Sequence, residues 1–522
     1  MSVDRLHRSS WFDAEWYQAR YPDVALSGMP PARHYLELGE RWGRQPGPDF
    51  DPQWYLAAYP DVARAKVSPL LHFIRHGEAE GRLPVRVAAQ EHEQALWRRH
   101  AGDPSPSLAA LEALRHASDW REAGYAAWAL GRWYAWQDEW QRVAEVLASG
   151  HHRRSRRLPR HTGPWLLEAD ALTRLGHLAR ARECLDGLAA AAPGNHDVTL
   201  ARANLVATQR QAPADSDCRE AERLALLNAL WRAHGLAEVQ RANTQLPLTL
   251  DNLAPRDTDH TAQASSRVSV IVPVYNAAAS LPAALAGLAA QRGVDLEVIV
   301  VDDASRDGSA EIARGFAERD SRFRLLRQPF NQGAYTARNR GLAAASGEFI
   351  TVHDSDDWPH PDKLAVQVRG LEHHPQWVAC NSHWVRCTTD LMFGHWRPGP
   401  GWIYRNTSSL MLRRHVFDTL GFWDRVRVDA DTEYYYRIRA AFGARALGEV
   451  LPGVPLAFGR SAARSLSQAG QTHLVTQFAG LRHDYQQAAQ AWHRQALARG
   501  QTLYLPERPA QRPFAAPAAM LP

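Results

Sequence analysis

Three short apolar runs, rich in β-branched residues and each ending in polar side chains, constrain this chain most. Val268–Val272 stops at Pro273-Val274-Tyr275-Asn276, Leu296–Val301 at Asp302-Asp303, and Phe349–Val352 just before Asp354-Ser355-Asp356-Asp357. Strands apolar on both faces are buried parallel strands. In an open α/β sheet, ligands bind at the carboxyl ends of such strands. The three polar clusters are therefore expected to line one crevice.

The chemistry of that crevice follows from its carboxylates. Closely spaced acids repel one another unless a cation neutralises them. A short acidic cluster offers hard oxygen ligands suited to Mg²⁺ or Mn²⁺, which bind through one or two carboxylates plus substrate phosphates. The reading points to a nucleoside-diphosphate donor. Taken alone, Asp354-Ser355-Asp356 is a weak signal and reads as a solvated turn, or the cap of a helix starting near Pro361. Its register with the two earlier strand ends favours a site.

The segments VSVIVPVYN, EVIVVDDASRDGS, NQGAYTARNRGLAAASGEFITVHDSDDW and GFWDRVRVDADTEYYYRI follow one another in that order. On these motifs, residues from about Val268 to about Gln468, about two-fifths of the chain, resemble a family 2 glycosyltransferase of the GT-A fold. The resemblance implies a Rossmann-like, mostly parallel α/β sheet. It also implies transfer of a sugar from a nucleotide sugar, expected to be a UDP-sugar, to a hydroxyl acceptor with inversion at the anomeric carbon. Asp303 would accept a hydrogen bond from the base. Pro273, Tyr275 and Asn276 would line the base pocket, with the Tyr275 ring free to stack or simply packed at the strand end. Arg338 would pair with the donor phosphates or with the acidic cluster. Asp356 and Asp357 would hold the metal, and Asp354 the ribose. Asp431 would be the base, in a first helical turn that Asp429 would otherwise merely cap. Trp402, Trp423 and Asp424 would form the acceptor wall, with Asn406–Ser409 on a nearby strand. A third metal ligand is not evident, His473 being the one candidate. No Q-x-x-R-W string follows Asp431, which argues against a processive synthase.

At 522 residues the chain should hold several domains. Phe12-Asp13-Ala14-Glu15-Trp16-Tyr17 returns as Phe50-Asp51-Pro52-Gln53-Trp54-Tyr55, and His34 returns as His72, at a constant period of 38 residues. A fixed period means a repeated supersecondary unit. The paired histidines are read as structural hydrogen-bonders rather than ligands. The expected order is a tandem repeat region at 1–87 and a tetratricopeptide-like all-α region at 88–250, whose Trp residues pack between helices. A linker at 251–267, the α/β catalytic domain at 268–470, and a helix with a disordered Pro- and Ala-rich tail at 471–522 follow. The first 250 residues are expected to be dispensable for donor chemistry.

Hydrophobic residues make up 45% of the chain, yet no apolar run approaches a membrane span. The N-terminus lacks the apolar core of a signal peptide. Cys184, Cys218, Cys380 and Cys387 are too few and scattered for a disulfide framework and are read as reduced, hence cytoplasmic. The net charge is +5, with a dense basic run at His151–His161. That run is read as a solvated loop, or else as a contact with an anionic inner-membrane face or glycolipid. Nucleic acid is excluded as a partner because no reading motif accompanies the basic residues. The expected partners are a nucleotide-sugar donor, a glycan or glycolipid acceptor, and a protein on the concave helical surface. The leading function is a non-processive glycosyltransferase building a bacterial surface glycan such as lipopolysaccharide or capsule. Its rivals are a scaffold with a degenerate catalytic domain and a metal-dependent nucleotidyltransferase. The second rival lacks the Gly- and Lys/Arg-rich loop it would need after the first strand.

Overall fold

The computed structural model describes residues 2–78, 80, 82–148, 162–209, 216–256, 266–394, 399, 401–461 and 472–521. The basic run at His151–His161 and most of the expected linker lie outside them. The chain divides into two compact units between Gly194 and Asn195.

The first unit is helical. Each 38-residue repeat opens on a helix, Ala14–Arg20 or Pro52–Ala58, capped by the carboxylate of Asp13 or Asp51. Tyr17 Oη lies 3.2 Å from His34 Nδ1, and Tyr55 Oη lies 3.1 Å from His72 Nδ1. Both histidines thus serve the core of their own repeat. Arg44–Asp23 and Arg82–Asp61 ion pairs recur at equivalent positions. Helical pairs follow, ending with Gly163–Arg174 and Leu178–Ala191. Their indoles pack: Trp97, Trp133 and Trp136 touch one another, and Trp128 lies under the Arg132 guanidinium.

The second unit begins earlier than expected. The helices His196–Thr208 and Ser216–Arg232, and the strand pair Val239–Arg241 and Leu253–Pro255, all belong to it. Trp231 is buried against Trp358, His360 and Phe458, and its indole N–H donates to the Pro455 carbonyl at 2.9 Å. Ala237 N–H donates to Asp362 Oδ2 at 2.6 Å. Asp251 pairs with Arg460. The expected helical stretch to 250 and the linker from 251 are corrected accordingly. Helical periodicity shows that a face is apolar but not which core it joins.

Elements are numbered from Arg267 onward. A seven-stranded sheet contains β1 (Arg267–Val274), β2 (Asp295–Asp302), β3 (Phe323–Arg327), β4 (Phe349–Val352), β5 (Ala379–Asn381), β6 (Met411–Arg413) and β7 (Leu447–Glu449). Their spatial order is β7-β5-β6-β4-β1-β2-β3, and only β6 runs against its neighbours. β1, β2 and β4 are the three apolar runs, buried almost throughout. From β1 the order steps outward to β2 and β3, then returns to β4 on the other side. This reversal opens the crevice where an α/β sheet binds ligands.

Helices α1 (Leu281–Ala289), α2 (Ser309–Arg319), α3 (Ala334–Ala344) and α4 (Lys363–His373) follow β1 to β4, the last close to the expected start near Pro361. Next come α5 (His415–Leu420), α6 (Ala430–Phe442) and α7 (Leu481–Ala498). One face of the sheet, including Ile271, Ile299, Ile350 and Leu412, forms a single core with α3, α5, α6 and α7. Gly341 lets α3 lie close on β1, since a Cβ there would strike Ile271. The C-terminal tail is not disordered: Leu503, Phe514 and Met520 are buried in this core. Asn406–Ser409 forms a short 3₁₀ turn at Thr407–Ser409 rather than a strand.

Candidate active site

The site is built on the carboxyl ends of β1, β2 and β4. Beyond β1, Tyr275 leaves its ring half exposed. Asn276 sits in a left-handed turn at φ 49°, and its Oδ1 accepts from Arg306 N–H at 2.9 Å. It therefore ties the β1 end to the loop after β2. Asp303, beyond β2, is buried and accepts from Gln328 Nε2 at 2.7 Å and from the Gln332 and Gly333 amides at 2.8 Å each. Burial raises its pKa despite these donors. The carboxylate shapes the turn that starts α3.

Helix α3 then makes three long-range contacts from one turn. Arg338 Nη2 donates to Asp354 Oδ1 at 2.9 Å. Asn339 brackets the Trp423 backbone, donating to its carbonyl at 2.8 Å and accepting from its N–H at 3.0 Å. Tyr335 Oη donates to Asp431 Oδ1 at 2.9 Å. Burial, then the charge of Asp431, pushes the Tyr335 phenol well above its usual pKa, so it remains a donor. Of the two partners expected for Arg338, the acidic cluster is the one present. Among the described residues, its Nε and Nη1 are buried with no hydrogen-bond partner. Unsatisfied guanidinium protons are costly inside a protein, so they mark a place for further acceptor oxygens.

The loop after β4 concentrates charge. Burial opposes the Asp354 carboxylate, but Arg338, His353 and Ser408 together hold its pKa below the ordinary value. Asp356 is pushed up to about 6 by burial and by Asp354. Asp357 is pushed well above the usual range by burial and by Asp356 and Asp354. Three features outside the expected set brace this loop. Arg460 donates its amide to Asp357 Oδ1 and its Nε to the Asp356 carbonyl, both at 3.1 Å, while its guanidinium also pairs with Asp251. Lys363 is buried, donates to Ser409 Oγ, and is pushed down to about 8 by burial. His353 bonds to the Asp357 carbonyl at 3.1 Å.

Among the described residues, no group of three or more His, Cys, Asp or Glu side chains is arranged to hold a metal ion. The donor set nevertheless fits a hard divalent cation. Asp356 and Asp357 repel each other, a repulsion that Arg386 and Arg460 offset only in part, and such ions need only one or two carboxylates when phosphate supplies the rest. His473 spends its Nδ1 accepting from Val475 N–H at 3.0 Å.

The expected acceptor wall is not what the structure shows. Trp423 is buried between Phe417 and Tyr434, at ring separations of 5.2 and 5.4 Å. Asp424 is buried, accepting from Tyr485 Oη at 3.0 Å and pairing with Arg512. Trp402 is buried as well. None offers an open face to a sugar. Asp429 precedes α6 but does not cap it. Its carboxylate turns to Arg482 and Gln486 on α7. The missed residues Tyr335, Arg460 and Lys363 had one local signal among them, the place of Tyr335 inside NQGAYTARNRG.

The chain thus has a buried, mostly parallel α/β sheet with an acidic loop at its reversal point. Residues 269–429 match the model of glycosyl transferase family 2. The PGL/p-HBAD biosynthesis glycosyltransferase of Mycobacterium bovis is 30% identical over 179 residues, 33% of this chain and 70% of that protein. The chain belongs to this family. The succinoglycan biosynthesis protein ExoO of Rhizobium meliloti is 41% identical over 97 residues, 19% of this chain and 27% of that protein. A solved mannosyltransferase from Pyrobaculum calidifontis, in complex with GDP-Man and Mn²⁺, aligns with a TM-score of 0.31 at 27% identity. That alignment spans 40% of this chain and 60% of the other. A score that low adds nothing to what the sheet itself shows. The chain spans 33% to 40% of the length of the first three curated relatives it matches. Among the described residues, no helix is long and apolar enough to cross a membrane.

Proposed function

We propose that the chain is a non-processive, inverting glycosyltransferase that moves a sugar from a UDP-sugar to a hydroxyl of a glycan or glycolipid, in the making of a bacterial surface polysaccharide. One observation carries the reading. Tyr335 and Arg338 share one turn of α3; the first holds Asp431 and the second holds Asp354. A single rigid helix therefore sets the distance between the acidic donor loop and a second carboxylate, as a transferase needs between leaving group and base.

The roles follow from that arrangement. Asp303 and Tyr275 border the base pocket. The unpartnered Nε and Nη1 of Arg338 receive donor oxygens. Asp431 takes the proton from the acceptor hydroxyl as its oxygen attacks the anomeric carbon; the bond to the diphosphate breaks and the diphosphate leaves with the electron pair. Bound at Asp356 and Asp357, Mn²⁺ or Mg²⁺ would offset the charge on that leaving group. The Asp431→Asn variant tests the reading by UDP release from UDP-sugars. General-base assistance is worth about 10²–10⁴ in rate. Turnover should fall by at least about a hundredfold with UDP affinity unchanged. Full turnover would remove Asp431 from the chemistry; a wild-type chain that releases no UDP from any UDP-sugar would favour a scaffold with a degenerate domain.

A further inference from the structure

Among the described residues, the segment that carries Asp431 is held mainly from behind, by the C-terminal stretch from Leu481 to Leu521. Asp429, two residues before Asp431, has φ 74°. Asp tolerates that left-handed conformation better than most residues with a side chain, and here the side chain is also tied down. The groups that tie it are on α7. Arg482 Nη1 donates to Asp429 Oδ1 at 3.1 Å. Gln486 Nε2 donates to Asp429 Oδ2 at 2.7 Å and to the Asp429 carbonyl at 3.2 Å.

The same stretch grips both flanks. Before Asp429, Tyr485 and Arg512 bond to Asp424, and the Arg427 amide donates to the Met520 carbonyl at 2.7 Å. Phe422 N–H donates to the Leu505 carbonyl and Leu505 N–H to the Leu420 carbonyl, each at 2.9 Å. Gly421 is required at that crossing, because a Cβ would collide with Leu505 O. After Asp431, Glu433 is fully buried between Arg437 and His493, at 2.9 Å from each. Buried charges need such paired partners. Asp431 is thus flanked on either side by a carboxylate tied to α7, while its own Oδ1 faces Tyr335 of α3.

We propose that the stretch from Leu481 to Leu521 is a positioning clasp for Asp431, with Arg482 and Gln486 as positioning residues acting through Asp429. This rests on the assignment of Asp431 as base. Small displacements of a reacting group cost much in rate, about a hundredfold for about 1 Å. A clasp role therefore predicts a loss in kcat that spares nucleotide binding, because Asp303 and the acidic loop lie on other elements.

The test uses the full chain with Arg482→Ala, Arg482→Lys, Gln486→Ala, the Arg482→Ala/Gln486→Ala double variant, and Asp429→Gly. UDP and Mn²⁺ binding is measured by calorimetry. Donor turnover is measured by nucleotide release from UDP-glucose, UDP-GlcNAc and GDP-mannose. The double variant should lose about tenfold or more in kcat, with UDP affinity and donor KM unchanged and partial rescue in Arg482→Lys. Asp429→Gly keeps the left-handed turn but removes both bonds to the Asp429 carboxylate, leaving only the one from Gln486 to the backbone carbonyl. It should lose kcat likewise, and it serves if the double variant does not fold. Wild-type kcat in the folded double variant, or in Asp429→Gly, overturns the proposal. The Asp431→Asn variant run alongside separates the two ideas. If it is inactive while the clasp variants are fully active, the clasp alone fails; if it is active, the base assignment fails.

Discussion

Tyr335 Oη donates to Asp431 Oδ1 at 2.9 Å across 96 residues of sequence, and that bond joins α3 to the start of α6. The phenol is buried and stays protonated, so its bond orients the carboxylate without competing for a proton. The backbone amide of Thr432 donates to the same oxygen at 2.9 Å. In the proposed mechanism, Oδ2 takes the proton from the acceptor hydroxyl.

Replacing Tyr335 with Phe should therefore lower turnover while UDP binding holds. A hydrogen bond to a charged group is worth about 1.5–3 kcal/mol, which corresponds to a loss of about 10- to 100-fold. Steady-state UDP release together with calorimetry reads both quantities. Unchanged kcat would show that Asp431 needs no orientation from α3.

Metal removal should resemble loss of Asp357. UDP binding in Mn²⁺ is expected to weaken strongly on adding a chelator, and Asp357→Ala in Mn²⁺ should match the chelated wild type. The variant needs a melting curve, since Asp357 also accepts the Arg460 amide. UDP binding indifferent to both treatments would remove the cation from the donor site.

The place where the chain is cut decides whether the catalytic unit folds. A chain beginning at Asn195 should fold and release UDP from a UDP-sugar. A chain beginning near Ala264 loses the Trp231 indole from among Trp358, His360 and Phe458, and the Asp251 partner of Arg460. Removing a buried Trp side chain alone costs about 3–5 kcal/mol. The shorter chain should be unfolded or far less stable by circular dichroism. A shorter chain as stable as the longer one would return the boundary to the 251–267 segment.

Asp197 gives a pH dependence of definite sign. Burial pushes its pKa up to about 7, against the bonds it accepts from the Ile403 and Trp402 amides. The folded protein holds this proton more tightly than the unfolded chain, whose Asp titrates near 4. Stability from this group must then fall as pH rises from about 4 to about 7. Asp197→Asn keeps the acceptor oxygen and removes the titration. Its melting temperature should drop less than the wild type's between pH 5 and 7.5, and parallel curves would refute the assignment.

The buried strands and their polar ends were legible in the sequence because the signal is local. A β-branched run apolar on both faces has few other structures open to it, and the polar residue that ends it must lie at the strand's carboxyl end. The helix starting near Pro361 and the helical repeats were legible for the same reason. Trp423 and Asp424 were misread because a lone Trp or Asp looks the same in sequence whether it lines a groove or fills a core; packing against Phe417 and Tyr434, and pairing with Tyr485 and Arg512, decided the matter. The C-terminal tail was misread because its Pro- and Ala-rich composition cannot form a core of its own, whereas Phe514 and Met520 enter one that other elements have already built. Sequence alone thus determined which elements form and what chemistry their ends can carry. Tertiary structure alone decided which ends meet, because burial, pairing and the orientation of Asp431 arise from contacts between residues far apart in the chain, and local periodicity holds no record of them.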